Sequence, residues 1–260
     1  MFFKVLLIFF MISAINHVRA FDDIDVIYLP EEHTSIEDHQ FQLRVIECLY
    51  KTGYSFSIGM EMFQQPFQRY LDDYIDCKIT EQDMLEKTEY RKRWGYDPSL
   101  YTSIWRYARE KGIKLYALNL PTELLVRIKR EGLKSVQDPI LPDPIIDLTQ
   151  EEKKRLERIL EIHPKTDAPY FFDVQNAWDN VMAYAVVRML NHHPDKKVVV
   201  LVGRGHAESL KMGMPYRVGL LKPDVRQMIL RRGDDHLLFS MDLSKESSSA
   251  SSIRVPNCNP

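Results

Sequence analysis

The sequence predicts an α/β fold, with a mostly parallel β-sheet flanked by helices on both faces and a smaller helical subdomain. Short apolar segments of strand length alternate with longer segments in which apolar residues recur every three to four positions. Strands separated by helices pair in parallel, because each return crossing needs a helix-length connection. The clearest strand, Val198 to Val202, is apolar throughout, as expected of a strand buried on both faces.

The elements follow one another as strand, polar turn and helix. Strands are predicted, in chain order, at residues 24–29, 56–62, 114–120 and 198–202, with edge segments at 225–230 and 236–241. The first helix is predicted from about Ile36 to Tyr50, with Thr34 or Ser35 as its cap. Later helices are predicted after Pro121, after a capping pair formed by Thr149 and Glu152, and from Ala168 to His192.

Two stretches between these elements are different. About residues 64–112 have charged and aromatic helical patterns and no strand, which predicts a helical insertion with a capping box at Thr80 and Asp83. This insertion contains a dense group of aromatic residues: Trp94, Tyr96, Tyr101, Trp105 and Tyr107. They would either pack one helix against another or form a wall for a flat aromatic ligand. Residues 136–148 hold three prolines and are predicted to be a loop.

The first twenty residues have the features of a secretory signal peptide. Lys4 precedes an apolar run that is too short to span a bilayer, and Val18-Arg19-Ala20 has the small residues of a cleavage site. Phe21 follows the predicted cut, so there is no lipoprotein cysteine there. We therefore expect an exported protein, with a single domain at residues 21–245 and a disordered tail at residues 246–260.

Composition excludes some classes of ligand. The formal net charge is −2, and no basic cluster indicates a nucleic-acid partner. The sequence lacks the CxxCH motif, which excludes covalent c-type haem attachment. Three cysteines, Cys48, Cys77 and Cys258, have no metal-type spacing and leave open whether one disulfide forms.

Polar residues follow the apolar strands directly. Glu31 to His33 follow the first strand, Glu61 ends the second, Asn119 ends the third, and His206 follows the fourth. Because the carboxyl ends of parallel strands share one edge of the sheet, we expect these residues to meet there. Two histidines and two carboxylates suit a divalent transition metal, or a histidine base oriented by a carboxylate.

Structural roles for the same residues remain open. His33 could cap the next helix, and Glu61 could form an ion pair with an arginine such as Arg69. The other histidines have no placement at strand ends and are predicted to lie on the surface or at helix ends: His39, His163, His192, His193 and His236.

Several motifs together resemble the ChaN-like haem-binding uptake proteins, which belong with the Tiki and TraB proteins in one superfamily. The motifs are Glu31-Glu32-His33, GMEMF at residues 59–63, Gln68 and Leu71, WGYDPSLY at 94–101, ALNLP at 117–121, Gln175 with Trp178-Asp179 and Met182-Ala183, and GRGHAE at 203–208. Their order and spacing agree from about Val26 to Val218.

The resemblance implies a role in haem or iron acquisition at the cell envelope, with haem held non-covalently. It implies a homodimer sharing haem and an outer-membrane haem receptor as candidate partners. His33 or His206, or a tyrosine of the helical part, could hold the iron, and Arg204 could meet the haem propionates.

The Tiki branch implies an alternative, a metal-dependent hydrolase of protease type. In that case His33, Glu61 and His206 would hold a divalent transition metal, and Glu31 would be the general base on a bound water. The GxxH motif of that branch is intact at Gly203 to His206, whereas Pro30 replaces the glycine of the motif that ends at His33. Proline fixes φ and lacks an N–H donor, so this departure bears on catalysis more than on the fold.

Overall fold

A computed structural model describes residues 21–162 and 170–234. The predicted signal peptide, the predicted strand at residues 236–241 and the predicted tail lie outside these ranges. Within them the chain forms a five-stranded sheet in the order β3-β2-β4-β1-β5, and every pair of neighbours is parallel. The predicted α/β class is therefore confirmed. The strands are β1 (Val26–Glu31), β2 (Phe56–Gln64), β3 (Leu115–Asn119), β4 (Lys197–Gly203) and β5 (Gln227–Ile229).

Helices cover both faces of the sheet. They are α1 (Ile36–Lys51), α2 (Gln68–Ile75), α3 (Glu81–Lys87), α4 (Tyr90–Arg93), α5 (Thr102–Lys111), α6 (Thr122–Glu131), α7 (Gln150–Ile162), α8 (Phe171–His192) and α9 (Gly213–Leu221). The capping predictions for α1 and α7 are confirmed. Ser35 Oγ accepts a hydrogen bond from Asp38 N at 3.2 Å, and Thr149 N donates to Glu152 Oε2 at 2.7 Å.

Alternate residues of each strand supply two separate cores, because successive side chains of a strand point to opposite faces. On one face Leu29 and Leu201 pack with α1 and α5, including the fully buried Trp105. On the other face Val200 and Val202 pack against α8 and α9. The central strands are buried on both faces, so they can be apolar without alternation, as the sequence of β4 predicted.

The segment between β2 and β3 is helical, as predicted, and contains α2 to α5 with short 3₁₀ turns at Gln65–Phe67 and Pro98–Leu100. The predicted capping box is present, since Thr80 N donates to Asp83 Oδ2 at 2.9 Å and Asp83 N donates to Thr80 Oγ1 at 3.1 Å. This segment brings aromatic side chains to the carboxyl ends of the strands.

The first strand runs further than the sequence indicated, because Pro30 and Glu31 belong to β1 and not to the turn after it. Pro30 pairs with Val202 of β4, while β5 pairs only with Val26 to Tyr28. Pro30 therefore lies beyond the end of β5 and has no strand on that side to which an N–H would donate. Glu31 is thus a strand residue, paired in register with Gly203.

Two further observations concern membrane-spanning helices and disulfide bonding. No helix within residues 21–162 and 170–234 is both long and apolar enough to cross a bilayer. Cys77 takes part in a disulfide.

Candidate functional site at the carboxyl edge of the sheet

The carboxyl ends of β1, β2 and β4 bring together Glu31, His33, Glu61 and His206, and we call this group the rim. The register of β1 against β4 sets Glu31 beside Gly203, three residues before His206. Glu61 lies where the pairing of β2 with β3 is irregular, between Met60 and Gln64. The sequence prediction that these four residues share one edge agrees with this arrangement.

The carboxylate of Glu31 holds the imidazole of His33. Its Oε1 lies 3.0 Å from His33 Nδ1 and also accepts a hydrogen bond from the hydroxyl of Tyr101. Its Oε2 accepts from Gln42 Nε2 at 2.7 Å, and the residue is 1% exposed. Both carboxylate oxygens are therefore occupied by protein donors, which suits a residue that orients His33. A general base on a bound water would need a free oxygen at the surface of the site.

The charge around His33 favours its protonated form. Burial alone would lower its pKa, but the hydrogen bond to Glu31 and the charge of Glu61 raise the pKa above its ordinary value. The side chain is still 26% exposed, so one part of the ring faces solvent. It is the more exposed of the two rim histidines, since the side chain of His206 is 13% exposed.

His206 is held in the same manner by a second carboxylate. Its Nδ1 lies 2.7 Å from Asp179 Oδ1, and its Nε2 lies 3.6 Å from Glu61 Oε1. The other oxygen of Glu61 accepts a hydrogen bond from the backbone N–H of Gly203 at 2.6 Å. Glu61 therefore lies between His206 and the end of β4. It does not form the ion pair with Arg69 that the sequence left open.

Gly203 lets the ring of His33 approach the end of β4. A Cβ at this position would lie 2.6 Å from His33 Cε1, 2.9 Å from His33 Nε2 and 3.4 Å from Glu61 Oε2. The two distances to the His33 ring are too short for a real Cβ, so only glycine fits beneath the imidazole. The two rim histidines thus have similar arrangements, each with Nδ1 on a buried carboxylate and with Glu61 nearby.

The pKa of His206 predicts how stability depends on pH. Burial alone would lower this pKa, but the charges of Glu61 and Asp179 raise it to about 9. A histidine with a raised pKa stabilises the fold fully below its unfolded value, near 6.5, and that stabilisation is lost as pH rises through the folded value.

We therefore expect the free energy of unfolding to fall between pH 6.5 and pH 9, by at most roughly 3.5 kcal/mol. Urea denaturation of the parent and of His206→Gln at several pH values checks this prediction. The variant should have a flatter profile in this window. Parallel profiles for the two proteins would mean that His206 does not titrate as described.

His39 lies in the first turn of α1, so the predicted placement at a helix end holds, but the predicted placement at the surface is wrong. It is 3% exposed, with Nε2 3.1 Å from the backbone oxygen of His33 and Nδ1 3.2 Å from Gln42 Oε1. Its Nδ1 also lies 3.6 Å from Glu31 Oε2. A signal for this was present, because His39 and Gln42 continue the stripe of Ile46 and Leu49 at three-to-four spacing, and that stripe is the buried face of α1.

Asp179 also escaped prediction as a site residue, although it lies in one of the motifs that carry the family resemblance. It is on α8, far in sequence from the strand ends, and only the tertiary packing brings it to His206. The available signal was an acidic residue on a helix that is otherwise buried along much of its length.

Arg204 lies at the rim but is not an unpaired cation. Its side chain is 51% exposed, with Nη1 3.4 Å from Glu32 Oε1 and Nη2 3.8 Å from Asp38 Oδ2. The pair with Glu32 is exposed at both partners and therefore weak, and the contact with the buried Asp38 is long, at 3.8 Å. Arg204 can therefore turn toward a ligand carboxylate at small cost.

The aromatic group of the helical segment divides between core and rim. Trp105 is fully buried and Tyr107 packs against Tyr50, which is the helix-packing role. Trp94 and Tyr96 instead contact the ring of His33, with centroid distances of 4.7 Å and 5.0 Å. These two side chains form an aromatic wall beside His33.

Asn119 has a structural role at the end of β3. Its Nδ2 donates to the backbone oxygen of Glu61 at 3.0 Å, and its Oδ1 accepts from Leu120 N at 2.8 Å. Both ends of the amide are occupied by backbone groups, so Asn119 fixes the strand that carries Glu61.

Within residues 21–162 and 170–234, no three His, Cys, Asp or Glu side chains are grouped closely enough to hold a metal ion. The rim has the donor types that a transition metal prefers, at separations wider than a ligand shell.

The protein family described as haem-binding uptake, Tiki superfamily, ChaN matches residues 17–218 of the sequence. The chain belongs to this family. A solved structure of cofacial haem binding to ChaN of Campylobacter jejuni is similar to the chain, with a TM-score of 0.60 and 20% sequence identity, over 80% of this chain and 81% of that chain. At this identity the likeness establishes the fold.

Other solved structures are less similar to this ChaN family member. The erythromycin esterase EreC gives a TM-score of 0.47 at 17% identity, over 80% of this chain and 70% of that chain. The MARTX toxin effector domain RRSP of Vibrio vulnificus gives 0.47 at 16% identity, over 82% of this chain and 34% of that chain. No curated protein sequence matches the chain.

Proposed function

We propose that this ChaN family member is an exported protein of haem uptake that binds haem non-covalently at the rim. The observation that carries the proposal is the imidazole of His33, held at Nδ1 by the buried Glu31 and 26% exposed beside the aromatic wall of Trp94 and Tyr96. Membership of a family described as haem-binding supports the same ligand.

The residues present suit haem in three respects. Haem supplies an iron that accepts an imidazole nitrogen, and a carboxylate on the other ring nitrogen fixes the ring and raises its basicity. Trp94 and Tyr96 offer aromatic surface for a flat macrocycle. Arg204, half-exposed and weakly paired, offers a guanidinium to a propionate. We assign His33 as the iron ligand. His206 and Glu61 lie beside His33 in the proposed haem site.

A titration with haemin, followed by visible absorption, tests the proposal on residues 21–260. We expect a shifted Soret band that saturates at a fixed ratio of haemin to protein. Protoporphyrin without iron serves as the control, because it retains the flat face and propionates but cannot bind an imidazole, and it should bind more weakly. A Soret change that grows linearly without saturation would contradict haem binding.

Export and partners belong to the same proposal. We propose that the signal peptide is cut after Ala20, that the mature protein resides in the periplasm or cell envelope, and that it is not a lipoprotein. Phe21, the residue after the cut, is fully buried in the core, and the disulfide at Cys77 suits an oxidising compartment. A homodimer and an outer-membrane haem receptor are the proposed protein partners.

Mass spectrometry of the intact protein from the envelope fraction checks the cut, with Phe21 expected as the first residue. Full-length protein in the cytoplasm would contradict it. Light scattering with and without haemin checks the dimer, which we expect to form or strengthen when haemin is bound.

A metal-dependent hydrolase is the second candidate, because each rim histidine has its Nδ1 on a carboxylate, the arrangement common in metal ligands. A divalent transition metal, which would supply an activated water, would require His33, Glu61 and His206 to move closer together than they lie in the described structure. Calorimetric titration with Zn²⁺ tests this candidate together with a peptide-cleavage assay. Cleavage that is lost with a chelator and in Glu61→Gln would favour it, and zinc binding without turnover would count against it.

A further inference from the structure

Arg217 on α9 is a fully buried charge directly behind the rim. Its Nη1 lies 2.6 Å from Glu152 Oε1 and donates to the backbone oxygen of Gly213 at 2.9 Å. Its Nη2 donates to Asn176 Oδ1 at 2.8 Å, and the residue is 0% exposed. Burying a guanidinium costs desolvation free energy even when the group is paired. A buried arginine at this place therefore indicates a role beyond packing.

Nη1 of Arg217 also contacts Asp179, the partner of His206. Arg217 Nη1 lies 3.8 Å from Asp179 Oδ2, while Asp179 Oδ1 lies 2.7 Å from His206 Nδ1. The two oxygens of Asp179 therefore face two different side chains, Arg217 and His206. A shift of Arg217 would move the carboxylate and with it the contact to His206. Arg217 is thus linked to the imidazole through a single carboxylate.

The ion pair of the same nitrogen with Glu152 constrains the backbone of His206. Glu152 Oε1, which pairs with Arg217, also accepts a hydrogen bond from Gly213 N at 2.9 Å. Gly213 has φ of +65°, and a Cβ there would lie 2.2 Å from the backbone oxygen of His206. The pair formed by Glu152 and Arg217 therefore fixes the chain on which His206 stands as well as its side-chain partner. The capping role of Glu152 was predicted from sequence, but this second role was not.

We infer that Arg217 is a positioning residue of the rim, which acts through Asp179 to direct the Nε2 edge of His206 toward Glu61. The inference rests on the proposed function only in taking His206 as part of the ligand site. The guanidinium suits this task because its planar fork can reach Asn176, Glu152 and Asp179 from one fixed position, which a lysine cannot do.

The test is ¹H–¹⁵N NMR of the imidazole groups in residues 21–260, comparing the parent with Arg217→Met. We expect the His206 resonances to move as they do in Asp179→Asn, while those of His39, which has no contact with this group, stay in place. Unchanged His206 resonances in a folded Arg217→Met protein would overturn the inference. Should this variant not fold, Glu152→Gln takes its place, with the same expected shift and the same contrary result.

A conservative variant of Arg217 and a double variant show whether Arg217 positions His206 or only contributes to stability. Arg217→Lys keeps the charge and should shift His206 less than Arg217→Met does. In Arg217→Lys with Asp179→Asn the shift should equal that of Asp179→Asn alone, because one residue acts through the other. Additive shifts would overturn the inference.

A haemin titration links the inference to the proposed function. We expect Arg217→Met to weaken haemin binding about tenfold, as for residues that orient a metal ligand or its neighbours. Absence of haemin binding in the parent would refute the proposed function and leave the NMR test of Arg217 intact. Arg226→Met, at an exposed ion pair with Asp23, is the control and should match the parent in both measurements.

Discussion

Glu31→Ala is expected to lower the free energy of unfolding by on the order of 3–5 kcal/mol, because it removes the common acceptor of a buried network. His33, Gln42 and Tyr101 all direct a ring nitrogen or donor at this carboxylate. Alanine offers no acceptor, so these groups lose their partner in a place that bulk water does not reach. His33 would also lose the contact that orients it, and haemin affinity should fall roughly 10- to 100-fold.

The adjacent glutamate provides a matched control for this prediction. The side chain of Glu32 is 62% exposed and pairs with Arg204 at 3.4 Å. Glu32→Ala should therefore change the free energy of unfolding by no more than about 0.5 kcal/mol. Urea denaturation monitored by circular dichroism measures both variants. Equal losses of stability for the two glutamates would contradict the buried network around Glu31.

Gly203→Ala is expected to disable the rim while the rest of the fold remains. The new methyl group would lie 2.6 Å from His33 Cε1 and 3.4 Å from Glu61 Oε2, so the ring of His33 must move away from the end of β4. Overpacking of this kind costs about 1–3 kcal/mol of stability. Because the imidazole leaves its place, we expect haemin affinity to fall by roughly 10- to 100-fold.

Gly205→Ala is the control, two residues further along the chain. A Cβ there would meet only the flexible end of Arg155, at 3.3 Å from Nη2. Haemin affinity should stay close to that of the parent. If Gly203→Ala binds haemin as the parent does, the ring of His33 is not needed in its present position.

Much of this architecture was predictable because local pattern and global fold agree. The apolar segments at β1 to β4 could be recognised without alternation, since the parallel sheet is buried on both faces. The parallel connections then placed Glu31, His33, Glu61 and His206 at one edge by topology alone. Capping at Ser35, Thr80 and Thr149 follows from short-range hydrogen bonding and was predicted for the same reason.

The partners of the rim residues were not predictable in this way. Asp179 and Arg217 reach His206 from α8 and α9, and the contacts depend on how those helices pack. β1 can extend through Pro30, which has no N–H, because β5 ends before the position at which that N–H would be bonded. Sequence pattern locates the strands, but tertiary packing decides where β1 ends, which side chains meet the strand ends and which oxygens remain free.

The central claim is that His33 holds haem iron at the rim. Haemin titrations of the parent, His33→Ala and His192→Ala in residues 21–260 test it most directly, since His192 is an exposed histidine at the end of α8. We expect His33→Ala to lose more than about 100-fold in affinity and to shift the Soret band, because even residues one step removed from a metal matter at that scale. His192→Ala should match the parent. Parent-like affinity and spectrum in His33→Ala would contradict the account.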